Sequence, residues 1–489
     1  MVKVNTRKIF FWLLALIFIF TALAVILYTF GYRFNFQRGI FIYTGAITIK
    51  PVPQKADIFI DHKLISNKRI NYLNNSYHIN GIKPQSHLIE VKAPGYNTWF
   101  KKAAVHSGVS TEFWNVLLTK KNYSPKKYSA RGMEKFYISP KNKKIAYVQN
   151  EKKTGEFLVK TLDIESGAQE NIFSSKEYRF SDDNGENIEW SPQAHKIIIP
   201  AQKENEKHYF IVDIETRQAV NLKDIILEKE TRSVRWDPSN KDAVFYLAEG
   251  NLHRLNIKNP KENNILAQNI SGYDLSSSNI FYLQSGNGII YKADLKSGKS
   301  KKQITTSPIS GAESSDFRVI AYDEKRIAVI SGDKKLYIYN DGEKEKYFNQ
   351  PAGEILSVQF SDDGKKLLFW TDKEIFVYFT RDWDVQPARM ENETKLITRF
   401  SRRIKNVQWS KEYEHIIFSA GNTVKVIELD HRGHRNIMDI VKINDENSQV
   451  TANFSENKLY FTDLAANDEN AAADLYSIEF PEKNGFLGR

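Results

Sequence analysis

The sequence predicts an all-β fold, a β-propeller, behind one N-terminal transmembrane helix. Three observations carry this reading. Residues 9–28 pass without a charge. A strand–turn–strand unit recurs at intervals near ~45 residues, the spacing of propeller blades. Aromatic residues make up 13% of the chain, with 24 Tyr and 30 Phe, a bias that favours strands.

Composition narrows the classes. At 489 residues the chain has room for two or three globular units. A hydrophobic content of 41% with 26% charged residues is that of a folded protein, not a disordered one. There is no cysteine. Disulfides, Cys-ligated zinc, iron–sulfur clusters, thiol nucleophiles and lipidated cysteines are therefore excluded. The net charge of +11 is concentrated: between 101 and 144 stand eleven basic residues, opposed only by Glu112 and Glu134.

Residues 1–8 are expected in the cytoplasm and 9–30 in the membrane. As a helix, Ile9 to Tyr28 spans about 30 Å, the thickness of a bilayer core. Trp12 and Tyr28 lie near its ends, where amphipathic rings favour the interface. Lys3, Arg7 and Lys8 precede the run, while Arg33 and Arg38 follow it. That bias predicts a single-pass protein of the cell membrane, N-terminus inside and the bulk of the chain extracytoplasmic. A cleaved signal peptide is the rival, with Ala22-Leu23-Ala24 as the cleavage site. The apolar run continues through Val25, Ile26 and Leu27, longer than the usual ~7–15 residues, so a retained anchor is expected.

Residues 44–120 read as short strands with turns at Asn80-Gly81 and Pro94-Gly95. The segment contains Pro53-Gln54-Lys55-Ala56 and then Ile58-Phe59-Ile60-Asp61. Gly81-Ile82-Lys83-Pro84-Gln85-Ser86-His87 and Ala93-Pro94-Gly95-Tyr96 follow. In these features it resembles the PEGA domain, with His62 and Gln85 where that family has glycines. The resemblance implies a small β-sandwich of bacterial surface proteins, without established chemistry. His62, His78, His87 and His106 fall here, at spacings that match no metal-ligand pattern. A basic linker is expected over 121–130.

The propeller is expected over 131–480, with a tail at 481–489. Eight turn residues mark it: Ser139, Ser191, Asp237, Ser276, Asp323, Ser361, Ser410 and Ser455. Each follows a large apolar residue, such as Trp190, Trp236 or Trp409, and precedes an aliphatic–aromatic strand, such as Ile197-Ile198-Ile199. Eight copies predict eight blades, or seven if a weak copy completes a neighbour. The Trp-Ser-Pro pattern resembles propeller repeats of the TolB type and of the dipeptidyl peptidase IV amino-terminal domain. That resemblance bears on fold more than on activity.

Catalytic motifs are absent from the sequence. There is no Gly-x-Ser-x-Gly and no His-Glu-x-x-His, and no α/β-hydrolase domain is expected after the propeller. Lys296-Ser297-Gly298-Lys299-Ser300 lacks the first glycine of a P-loop, since Ala293 stands there. His431-Arg432-Gly433-His434 and Asp182-Asp183-Asn184-Gly185-Glu186 read as turns rather than metal or calcium sites. Trp383, flanked by Arg381 and Asp382 in a long loop, is a candidate ligand contact. Lys101, Lys102, Lys120, Lys121, Lys126 and Lys127 are candidate contacts to an anionic lipid or wall polymer.

The expected function is a membrane-tethered binding or scaffolding protein of the cell envelope, recognising a protein, peptide or glycan. No cofactor, metal or nucleic-acid partner is expected, and the protein is not expected to be an enzyme. The alternative is a propeller enzyme, a lyase or glycan hydrolase, with carboxylates gathered in its central channel. Such a site leaves no linear motif.

Overall fold

The computed structural model describes residues 4–35, 39–66, 68–151, 154–182, 185–313, 316–464 and 472–481. It opens with helix α1, Val4–Thr29. Within α1, Arg7–Thr29 is long and apolar enough to cross a membrane and is not buried in the protein. The hydroxyl of Thr21 is satisfied inside the helix, donating to Ile17 O at 2.8 Å. A hairpin follows at once: β1, Tyr32–Asn35, and β2, Ile40–Tyr43.

The next unit has two four-stranded sheets. One orders Ser110–Leu117, Gly45–Val52, Ser76–Ile82 and Arg69–Asn71; the other orders Lys63–Leu64, Asp57–Ile60, Ser86–Lys92 and Trp99–Ala104. Strict alternation builds the core between them. In Trp99–Ala104, every second residue is buried, starting with Trp99. Trp99 joins Ile47, Ile49, Ile58, Ile89, Val91 and Phe113 there. Asp61 and His62 turn the chain with φ of 49° and 64°. Asp61 then accepts from Leu88 N–H at 3.0 Å and lies 2.7 Å from His87 Nδ1.

From Lys126 on, the described residues form eight antiparallel sheets in series, each holding at least four strands. Together they give the chain its propeller architecture. By residue span, the first seven are 135–175, 179–221, 231–267, 270–303, 317–352, 357–399 and 404–442. The eighth combines Val450–Asn453, Lys458–Asp463 and Asp474–Glu479 with Lys126–Arg131, which pairs with Asp474–Glu479. A strand from before the first sheet thus completes the last. The expected linker, 121–130, is corrected here: its second half is this strand, with Ala130 fully buried and Tyr128 nearly so.

The core lies between sheets. Each sheet packs on the next through its own apolar cluster, as Phe157 and Val159 do against Ile197 and Ile199. The eighth closes on the first through Tyr128, Ala130, Phe136, Tyr147 and Tyr460. The repeated serines close the turns from within. Ser191 Oγ accepts Lys196 N–H, Ser361 Oγ accepts Lys366 N–H, and Ser410 Oγ accepts His415 N–H, at 3.0 to 3.1 Å. Lys296–Ser300 is likewise a turn, with Asp294 Oδ1 accepting from Lys296 and Ser297 N–H.

Candidate ligand channel

The first strands of successive sheets line a central channel. Two residues before the turn serine or aspartate, a side chain reaches across to the next sheet. Glu189 accepts Trp236 N–H at 3.2 Å, and Asp274 accepts Ala321 N–H at 2.9 Å. Gln359 accepts Trp409 N–H at 3.3 Å, and Gln408 accepts Ala452 N–H at 2.7 Å. The repeat tryptophans return a bond to the preceding sheet. Trp190, Trp236 and Trp409 donate their indole N–H to the carbonyls of Tyr137, Glu189 and Gln359, at 2.9, 3.0 and 3.1 Å. Carboxylate and amide make the same contact at the same repeat position.

The channel charges are unevenly paired. Arg235 lies between Glu189, at 2.8 Å, and Asp274, at 3.5 Å. Burial pushes both carboxyls up despite the opposing pull of Arg235. The two carboxylates in turn hold Arg235 above its usual value, against the effect of burial. Glu186 accepts from Ser233 N–H at 2.7 Å and Tyr209 OH at 2.8 Å, and pairs with Lys207 at 3.3 Å.

Three lobes of about 500, 280 and 930 Å³ open along this surface. The first two share Arg318. Arg318 donates to Ser357 Oγ at 3.1 Å and has no carboxylate ion pair among the described residues. Burial alone pulls its pKa down. Arg232, at the same place in the repeat two sheets earlier, donates to Ser271 O at 3.3 Å. A guanidinium held by neutral acceptors offers its remaining donors to an anionic or polyhydroxylated group. Glu189, Arg235, Asp274, Arg232 and Arg318 did not stand out in the sequence. Their constant offset from the turn residue was the signal that could have found them.

The residues singled out in the sequence lie elsewhere. Trp383 is half-buried on the loop after Glu374–Phe379, with Lys365 Nζ 4.5 Å from its ring centre. Asp382 pairs with Lys344 at 2.5 Å, and Arg381 lies 4.0 Å from Glu343. The same loop touches the small unit: Gln386 donates to Ser110 O at 2.9 Å and accepts Glu112 N–H at 3.1 Å.

Lys101 requires a correction. Its ammonium is fully buried, 2.7 Å from Glu428 and donating to the carbonyls of Asp430 and His434. It cannot reach an anionic surface. His431-Arg432-Gly433-His434 is the other half of this contact, a turn that docks on Trp99–Ala104. Lys102 and Lys121 are exposed, and Lys120 is half-buried. Lys126 lies 4.9 Å from the Tyr128 ring centre, and Lys127 pairs with Asp474 at 2.6 Å. Asp183 and Asn184 of the acidic turn lie outside the described residues.

No family model matches the chain, and no curated protein does. Among solved structures it is similar to the β-propeller domain of Myceliophteria thermophila Cps50 (Swd1), at 13% identity over 73% of this chain and 98% of that one, TM-score 0.41. A eukaryotic initiation factor is similar at 14% identity over 75% and 93%, TM-score 0.46. An oligogalacturonate lyase in complex with manganese is similar at 12% identity over 72% and 99%, TM-score 0.37. At such identities and scores, nothing about ligand or activity transfers.

Proposed function

We propose a membrane-tethered binding protein whose propeller channel receives a ligand outside the cytoplasm. In this reading α1 stays in the cell membrane with its N-terminus inside. The small unit is a PEGA-like spacer, and the eight sheets are eight blades of one ring. Two features support the PEGA-like assignment: the contact between the motif residues Asp61 and His87, and the left-handed turn at His62 where that family has glycine.

One observation carries the binding function. Glu189 and Asp274 do the work that Gln359 and Gln408 do at the same repeat position, so these acids are explained as staples between blades. What the staples leave over is Arg318, a donor without an ionic partner among the described residues. The ligand is accordingly a glycan, peptide or protein that presents an anionic group. Exposed Lys102, Lys121 and Lys126 add positive charge suited to anionic lipid or wall polymer.

A channel enzyme, a lyase or glycan hydrolase, is the second reading. It draws on the raised carboxyls of Glu189 and Asp274, which resemble those of general acids. Their shared hold on Arg235 counts against it.

Calorimetry on the full chain in detergent, with an acidic oligosaccharide and an acidic peptide as probes, tests both readings. At least one probe should bind, and Arg318→Met should weaken it by about tenfold, the worth of one charged hydrogen bond. Equal affinity in the variant removes the channel from the reading. New reducing ends or an unsaturated product in the same mixture move the protein to the enzyme class. Protease accessibility of a carboxy-terminal tag on intact cells tests the orientation; a tag protected until the membrane is broken reverses it.

A further inference from the structure

Among the described residues the hairpin β1–β2 belongs to no larger sheet. Two-stranded hairpins are marginally stable in water by themselves. Its register places Tyr32 opposite Tyr43 and Phe34 opposite Phe41, so four aromatic rings share one face. The tyrosine rings stack at 4.7 Å and the phenylalanine rings meet edge to face at 5.1 Å. Phe34 is nevertheless 43% exposed and Phe41 55% exposed, while Phe30, just before the hairpin, is 63% exposed. Rings as exposed as those of Phe41 and Phe30 on so small an element mark a contact surface.

The hairpin is fixed at both ends. Gly31 N–H donates to Tyr28 O at 3.1 Å, carrying the last turn of α1 into β1. Thr44 N–H donates back to Gly31 O at 2.9 Å, and Gly108 N–H donates to Thr44 O at 3.0 Å, tying β2 to the small unit. Arg33 folds back over the Tyr28 ring at 3.6 Å.

Position identifies the partner. β1 starts three residues after α1 ends, within about 10 Å of chain reach. The 23 residues of Arg7–Thr29 measure about 35 Å as a helix, longer than the ~30 Å hydrocarbon core, so the helix end already stands among headgroups. Charge agrees with this placement. No Asp or Glu occurs before Asp57, while Arg33 lies within β1 and Arg38 follows it in sequence. Aromatic rings with nearby arginines and no carboxylates are suited to the boundary between acyl chains and anionic headgroups.

We propose that the aromatic face of β1–β2 lies in the membrane interface, making the hairpin a second contact that sets the height and tilt of the extracytoplasmic units over the bilayer. The proposal rests on α1 being a membrane anchor.

The cysteine-free chain permits the test directly. Single-cysteine variants Phe41→Cys and Phe34→Cys carry an environment-sensitive fluorophore on the full chain, reconstituted in phosphatidylcholine–phosphatidylglycerol vesicles with doxyl-labelled lipids. Val25→Cys reports α1, and Leu227→Cys, on the 99% exposed Leu227 of the propeller, reports water. The expected result is a blue shift and quenching at 41 and 34 comparable with those at 25, with neither at 227. Quenching at 25 without quenching at 41 and 34 overturns the hairpin contact and leaves the anchor standing. No quenching at 25 overturns the anchor and the hairpin contact together.

Discussion

Trp99 Nε1 donates to Glu428 Oε2 at 2.9 Å, across 329 residues of sequence. The other oxygen of Glu428 accepts Asn436 N–H and lies 2.7 Å from Lys101 Nζ. One buried carboxylate therefore joins a strand of the small unit to the seventh sheet of the propeller. Arg432 adds to the joint by donating to Glu112 O at 2.6 Å. The two units are stapled, not strung on a free linker.

Lys101→Met is expected to destabilise the protein strongly. It leaves Glu428 buried without its counter-charge and removes the donor from the carbonyls of Asp430, Arg432 and His434. Breaking a buried pair on one side costs about 3–5 kcal/mol. Adding Glu428→Gln should recover part of this loss, because the stranded charge goes too. Denaturant unfolding of the full chain in detergent measures both. A single Lys101→Met within about 1 kcal/mol of wild type would show that the joint contributes little.

Gly433→Ala should open the same joint. Gly433 has a φ of 71°, and a Cβ there would stand 2.6 Å from Lys102 O. Both strain and overlap act on the turn that docks against Trp99–Ala104. Hydrogen exchange should accelerate in that strand and stay unchanged in the sheets at 231–303. Unchanged exchange at Trp99–Ala104 would mean the turn yields without the contact moving.

Glu189→Gln should be milder than Glu189→Ala. Glutamine keeps the acceptor for Trp236 N–H, as Gln359 does for Trp409, and Arg235 retains Asp274 beside it. The alanine variant loses the acceptor and is expected to cost about 1–3 kcal/mol, the glutamine variant under about 1. If the two cost the same, the ion pair with Arg235, not the inter-sheet bond, is what Glu189 supplies.

Much of this architecture was legible because turn chemistry repeats. A hydroxyl or carboxylate that accepts a backbone N–H in most of these hairpins, Ser455 being the exception, restricts that position to Ser or Asp, and the inter-sheet indole bond favours Trp just before it. Those constraints are local in sequence, so the eye finds them. The channel was not legible, since Glu189, Arg235, Asp274 and Arg318 meet only when four sheets close together. Lys101 misled for the same reason: in sequence it is one of eleven basic residues, and only Glu428, far along the chain, explains its burial. Trp383 stood out as a candidate ligand contact by its charged neighbours in sequence, whereas the Lys365 and Lys366 beside its ring come from another part of the sheet.

His415 should make stability fall with rising pH. It is buried, with Nδ1 2.5 Å from Glu412. Glu414 and Glu428 act on it as well, while Lys366 and Arg389 are occupied by Glu414 at 2.5 and 2.6 Å. Burial works to lower its pKa, but the bond to Glu412 and the three carboxylates outweigh burial and hold it up. A histidine with a raised folded pKa contributes fully below its unfolded value of about 6.5, and that contribution is lost as pH rises through the folded pKa. Glu412 is held down, burial opposing and His415 prevailing, so its share is lost only as pH falls through its lowered pKa. The advantage of wild type over His415→Gln in denaturant unfolding should therefore be greatest between these limits. It should shrink from about pH 6.5 upward, by no more than about 1.4 kcal/mol per pH unit, the limit for one proton. An advantage that stays constant to pH 9 or grows would mean that His415 is neutral in the folded protein and that Glu412 holds it only by position.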